Sequence, residues 1–311
     1  MAEKDMILEI KDLRKSYGKT EVLHGVGFSM KRGGIYGLVG PNGAGKTTIM
    51  KILGGLVFPT AGEINCYDAE GNTIAMQEAR RRMSFMIETP YLKGFSNARQ
   101  NLEKQRLQKG IADKGIIDRV LETAGLSGVD NKKQVRQYSL GMKQRLGIAN
   151  ALMSDPELLV LDEPVNGLDP VGIHDIRELL LKLNRESGVT ILISSHILSE
   201  LSQLCTDYIF IGSGNILERT TAEELERNGR GCFEINTTDN EKALAMLTER
   251  YGDNARMEDG IIKLYGEFGS EEQLSEELFR AGAVPVRLAR AESDLEKYYL
   301  EKVLESDGGI K

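Results

Sequence analysis

Residues 35–47 read IYGLVGPNGAGKT. Ile35 to Val39 form a short uncharged apolar run, the pattern of a strand buried on both faces. GPNGAGKT, residues 40–47, then fits G-x-x-x-x-G-K-[ST] at every fixed position. IMKILGGL follows with helical spacing, so the loop lies between a strand and a helix, the context that motif requires. Gly40, Gly43 and Gly45 let the backbone turn tightly and aim its N–H groups inward. Pro41, Asn42 and Ala44 complete the loop, and Thr48 follows it into the helix. The helix N-terminus adds its dipole. Lys46 supplies charge to β- and γ-phosphates, and Thr47 offers a hydroxyl to Mg²⁺.

A second apolar run, LLVLDEP (158–164), carries two carboxylates at its C-terminal end, where open α/β sheets bind ligands. Successive strand-end residues point in different directions. Asp162 can therefore face Mg²⁺, usually through water, while Glu163 faces an attacking water and orients it or accepts its proton. A third run, VTILISS (189–195), ends at His196, one of three histidines in the chain. From that position alone, His196 is either a hydrogen-bonded, partly buried side chain or a sensor at the mouth of a nucleotide site. Strands alternating with helices imply a largely parallel α/β sheet.

The 311 residues suffice for one large domain or two ordinary ones. The net charge is −7, from 40 basic and 47 acidic residues, which argues against general nucleic-acid binding. The three cysteines, Cys66, Cys205 and Cys232, are far apart and form no C-x-x-C pair. This suggests a reducing compartment without a disulfide framework or zinc site. The opening MAEKDMILEIKDL carries charges through any candidate apolar core and does not read as a signal peptide. No apolar stretch is long enough for a transmembrane helix, so a membrane role must come through a partner.

Along the chain, MILEIKDL and EVLHGVGFSM read as strands around a turn at Tyr17-Gly18-Lys19. A polar segment with helical potential covers residues 97–125, and QYSLGMKQRLGIANALM reads as a loop opening a helix. After a hairpin with turn GSGN the character changes, and a boundary is expected near residue 220. The tail, 221–311, reads as a small α+β domain. A charged helix (TAEELERN) leads into strand CFEIN, helix EKALAMLTER, strand GIIKLY, helix EEQLSEELFRAG, strand VPVRLA and helix DLEKYYLEKVL.

Taken together, these motifs resemble the ABC-type ATPases, the nucleotide-binding subunits of ATP-binding cassette transporters. The resemblance covers roughly residues 5–220. Besides the phosphate loop and LLVLDEP, YSLGMKQR (138–145) is similar to the family signature LSGGQ-K-Q-R, and NGLDP (166–170) to the D-loop. ISSH (193–196) is similar to the switch-histidine loop, and Tyr17 stands where the family stacks an aromatic on adenine. The resemblance implies a P-loop NTPase fold with a helical subdomain at about 88–155, and a head-to-tail dimer with two ATP molecules between its subunits. Ser139 and Gly141 would then reach the partner's γ-phosphate, and Asp169 would communicate across the interface. Ser139 also suits an ordinary helix N-cap, and both roles can hold at once. His196, on a strand the family sets beside that of Glu163, would donate to the γ-phosphate and hold Glu163 and the water in line.

Three motifs depart from the family pattern. Leu140 and Met142 stand where the signature commonly has Gly and Gln, and Asn166 replaces a small residue in the D-loop. In MIETP (86–90), Glu88 aligns with a glutamine near Mg²⁺ and the membrane partner. Glu88 and the SLGMKQRLGIA wording resemble the subgroup that exports peptide antibiotics such as bacitracin and lantibiotics, which also carries a C-terminal extension. The expectation is a cytoplasmic ATPase subunit, peripheral on the inner face of the membrane through a separate permease. The segment 88–105, with Tyr91 and Phe95, is the expected docking surface. The alternative is a soluble ATPase acting in cofactor or complex assembly.

Overall fold

The structure is a computed structural model and describes residues 4–228, 232–258, 260–265 and 270–291. They fall into two compact units that divide between Thr220 and Thr221.

The first unit begins with two long strands, β1 (Met6–Tyr17) and β2 (Thr20–Lys31), paired antiparallel across the expected turn. The apolar run quoted above is β3 (Ile35–Val39), buried at all five positions, and the phosphate loop leads from it into α1 (Lys46–Leu53). β4 (Ala61–Tyr67) and β5 (Thr73–Ile74) extend the antiparallel sheet to the order β2-β1-β4-β5. α2 (Met76–Arg81) and β6 (Met83–Met86) follow. The polar segment forms α3 (Ala98–Gln108) and α4 (Ile116–Thr123), and the signature opens α5 (Leu140–Leu152). β7 (Leu158–Leu161), α6 (Pro170–Ser187) and β8 (Thr190–Ser195) come next. β9 (Asp207–Gly212) and β10 (Asn215–Thr221) close the unit. Positive φ at both Ser213 (43°) and Gly214 (77°) gives their two-residue turn the handedness that hairpins favour.

The central sheet has the order β10-β9-β3-β8-β7-β6, and β6, β7, β8, β3 and β9 are mutually parallel. Three consecutive members, β3, β8 and β7, are buried along their whole length. Leu38, Val160 and Leu192 from these strands pack with Ile49, Met50 and Leu53 of α1. Each such side chain contributes about 1.5–3 kcal/mol through removal from water. That packing fixes three adjacent strand ends relative to the first turn of α1, and the site is built there.

The second unit starts with α7 (Ala222–Asn228) and continues β11 (Cys232–Thr237), α8 (Asn240–Tyr251), β12 (Ala255–Glu258), β13 (Ile261–Tyr265), α9 (Glu271–Arg280) and β14 (Pro285–Ala291). Its sheet runs β12-β13-β11-β14 with every neighbouring pair antiparallel, a split βαββαβ arrangement. Phe233, Ile235, Ile262 and Leu264 pack against Leu247, Leu274 and Leu278 of the two helices. Where the spacing predicts one strand between the helices, the structure has the hairpin β12–β13. Only Ala255 of β12 is buried, so the strand carries no apolar alternation to read; pairing with β13 forms it. The helix expected from DLEKYYLEKVL lies outside the described residues.

Candidate active site

The loop after β3, the acidic pair after β7 and the histidine after β8 meet at the C-terminal edge of three adjacent parallel strands. The loop glycines have separate physical roles. Gly43 and Gly45 adopt φ of 85° and 108°, which L side chains rarely tolerate. At Gly40 a Cβ would lie 2.3 Å from the carbonyl oxygen of Ile211, so the loop could not reach its place against β9. Gly45 is the N-cap of α1 and supplies no side-chain partner. The first-turn N–H groups of α1 are therefore left for an anion.

Lys46 is almost fully buried. Its Nζ donates to the carbonyl oxygens of Gly40 (2.6 Å) and Pro41 (3.2 Å) and lies 3.4 Å from Glu163 Oε1. Burial lowers its pKa, and the Glu163 carboxylate opposes that effect. Thr47 Oγ1 donates to Asp162 Oδ2 at 2.8 Å, which sets two oxygen donors side by side. The other Asp162 oxygen accepts from Ser194 Oγ at 2.7 Å, and Ser194 Oγ accepts the backbone N–H of Glu163 at 2.9 Å. Glu163 has φ 46°, a strained value for a side chain of its size. Its carboxylate sits between Lys46, Asn166 Nδ2 at 2.9 Å and His196 Nδ1 at 3.3 Å. The His196 Nδ1 contact lacks hydrogen-bond alignment, so that buried nitrogen is unsatisfied. A ring with an unspent polar atom beside a phosphate loop fits a sensor better than a structural histidine.

Glu88 has φ 61°, and its exposed carboxylate accepts from Lys51 Nζ of α1 at 2.6 Å, which raises the lysine pKa. Tyr17 ends β1 with its ring 47% exposed and Lys15 Nζ 4.8 Å from the ring centroid. Ser139 caps α5 by accepting from the N–H of Met142 at 3.2 Å. A Cβ at Gly141 would meet nothing nearer than Gly172 Cα at 3.8 Å, so packing within this chain does not demand glycine there. Asp169 caps α6 by accepting from Gly172 N–H at 3.0 Å. Ser139, Gly141 and Asp169 thus lie at helix starts, apart from the contacts that join Lys46, Thr47, Asp162, Glu163 and His196.

Ser194, Asn166 and Lys51 each touch a site carboxylate and were not among the sequence candidates. Ser194 carries a readable signal, a hydroxyl buried on the strand that ends just before His196. Asn166 follows Glu163-Pro164 at turn spacing, and Lys51 carries no such signal.

A family model described as ABC transporter matches residues 23–166. The bacitracin transport ATP-binding protein BcrA of Bacillus licheniformis is 39% identical over 299 residues, 96% of this chain and 97% of that protein. The chain belongs to the ATP-binding proteins of ABC transporters. The lantibiotic transport ATP-binding protein SrtF of Streptococcus pyogenes is 45% identical over 233 residues, 73% of this chain and 99% of that protein. The family relation holds for the fold as well. The dimeric post-hydrolysis ATP-binding cassette MJ0796, bound to ADP and Pi, superposes with TM-score 0.61 at 26% identity, over 70% of this chain and 99% of that one. A structure titled ATP binding subunit of ABC transporter gives TM-score 0.60 at 30% identity over 71% of this chain and 92% of its own. The ABC ATPase is thus an α/β P-loop cassette that binds and hydrolyses ATP, and no helix among its described residues is long and apolar enough to cross a membrane.

Proposed function

We propose that this ATPase subunit drives export of a peptide antibiotic or related compound through a separate integral membrane permease. ATP binding closes a dimer of cassettes, and hydrolysis opens it. The convergence of Lys46, Thr47, Asp162, Glu163 and His196 at three neighbouring strand ends carries the catalytic part of this reading. The export part is supported by near end-to-end similarity to BcrA.

In this reading the first-turn N–H groups of α1 and the Lys46 ammonium bind the phosphates. The Glu163 carboxylate orients the attacking water and takes its proton, while His196 holds that carboxylate and the γ-phosphate in line. Tyr17 stacks on adenine. Thr47 and Asp162, with Glu88 able to join them, would hold Mg²⁺, which when bound neutralises phosphate charge. Two adjacent oxygen donors fit an ion that keeps most of its shell for phosphate and water, and no group of three His, Cys, Asp or Glu suited to a metal occurs among the described residues. The open space at Gly141 supports approach of the partner subunit's nucleotide to the Ser139–Gly141 turn, with Asp169 at the same interface.

The permease docks on the 88–105 segment, where Tyr91 and Phe95 are 83% and 77% exposed and Arg136 lies over the Phe95 ring. That docking holds the subunit at the inner face of the cell membrane. The tail that the sequence sets at 221–311 is an accessory domain that strengthens or regulates the dimer; SrtF, matched over nearly its whole length, aligns with a stretch about as long as the first unit.

The test is recovery of a tagged Glu163→Gln variant, loaded with ATP and Mg²⁺, from detergent-solubilised membranes of its host. Export predicts a polytopic membrane protein that is lost when Tyr91 and Phe95 are replaced by serine. Recovery of soluble proteins alone contradicts it.

A further inference from the structure

We propose that Asn166 is a positioning residue for Glu163: its side-chain amide sets the carboxylate and ties the 166–170 loop to the hydrolytic step. The proposal rests on the reading of Glu163 as the base.

The backbone of Glu163 needs holding. Its φ of 46° is unfavourable for a non-glycine residue, and the following Pro164 narrows its choices further. Ser194 holds the backbone N–H of Glu163, and Asn166 holds the rest. The Asn166 N–H donates to the Glu163 carbonyl at 3.2 Å, closing a four-residue turn with Pro164 second, the position proline favours. From the same turn, Asn166 Nδ2 donates to Glu163 Oε2 at 2.9 Å. A carboxylate can only accept, so the amide must present its nitrogen. Of the three groups around the carboxylate this is the nearest, against 3.3 Å for His196 Nδ1 and 3.4 Å for Lys46 Nζ. Oε2 is held from the loop side, and Oε1 is left facing Lys46 and the phosphate loop. Alanine at this position offers no donor, and serine offers a shorter one. The asparagine thus gives the 166–170 loop a direct hold on the group that activates water.

Asn166 is exposed and makes no core contact, so its substitution leaves folding intact. Asn166→Ala and Asn166→Asp in the full chain are compared for ATP hydrolysis. For Asn166→Ala we expect kcat to fall roughly three- to tenfold, the effect of one solvent-exposed hydrogen bond, with KM changed by less than about twofold. Asn166→Asp, of equal shape but without a donor, falls further because it sets a second carboxylate against Glu163. In a Glu163→Gln background, Asn166→Ala leaves ATP-dependent dimer formation, read by size exclusion, as it is in Glu163→Gln alone. Wild-type kcat in both single variants overturns the proposal. So does loss of the ATP-bound dimer in the double variant, which marks Asn166 as an interface residue only. Turnover by Glu163→Gln at the wild-type rate removes the base assignment itself and is recognised from that control alone.

Discussion

Ser194 Oγ donates to Asp162 Oδ1 across 2.7 Å and, through the same oxygen, accepts the backbone N–H of Glu163 at 2.9 Å. One fully buried hydroxyl on β8 therefore holds the Asp162 carboxylate and the Glu163 backbone at the end of β7. Ser194→Ala strips a partner from a part-buried N–H and from a buried carboxylate oxygen. We expect a loss of about 1–3 kcal/mol in unfolding free energy, measured by urea titration, together with a reduced kcat. An unchanged urea midpoint would show that Asp162 and Glu163 are held in some other way.

Gly141→Ala separates folding from assembly. The new methyl has room in this chain, and alanine in a helical first turn gains up to about 1 kcal/mol over glycine. The isolated variant should melt at or above the wild-type temperature. ATP turnover should nevertheless fall at least tenfold, because in the proposed dimer the methyl would take the space into which the partner's nucleotide fits. Unimpaired turnover would remove the signature turn from the site.

Glu88 and Lys51 form an ion pair near the surface, where such pairs contribute about 0–1 kcal/mol. Glu88→Gln should therefore leave stability within about 1 kcal/mol of wild type. If Glu88 leaves Lys51 to join Thr47 and Asp162 on nucleotide binding, the same change raises the Mg²⁺ concentration for half-maximal hydrolysis by several-fold. An identical Mg²⁺ titration would mean that Glu88 serves only as the counter-ion of Lys51.

All three cysteines are free and buried. Burial pushes the Cys66 thiol up to about 11, and burial with nearby Asp207 raises Cys205 as well. The thiolate is the reactive form, so at pH 8 only about a thousandth of Cys66 is competent to react. Iodoacetamide should label the native protein slowly at Cys66 and Cys205 and rapidly after denaturation, with sites read by mass spectrometry. Rapid native labelling at Cys66 would contradict its packing in the core.

The cassette was legible because its chemistry is local in sequence. The phosphate loop, LLVLDEP and ISSH each join a buried strand to a polar end, and apolar runs identify such strands. What escaped depends on contacts between distant segments. β6, four residues long and reading MSFM, is recognisable as a strand only once β7 pairs with it. β12 exists through its pairing with β13. Ser194 serves the site because β8 lies beside β7, which brings its hydroxyl to the Glu163 backbone N–H and the Asp162 carboxylate, 31 and 32 residues away. Lys51 meets Glu88 across 37 residues for the same kind of reason. Asn166 is different: its partner is three residues away, and the turn Glu163-Pro164-Val165-Asn166 was open to reading.

The most direct test of the catalytic account is the Glu163→Gln variant in single-turnover ATP hydrolysis, run beside size exclusion with ATP and Mg²⁺. The carboxylate is the only candidate base in contact with both Lys46 and His196 among the described residues. Hydrolysis should fall by at least a hundredfold, as expected when a general base is removed, while the variant accumulates as an ATP-bound dimer. Hydrolysis at the wild-type rate, or a variant that stays monomeric with ATP, would contradict it.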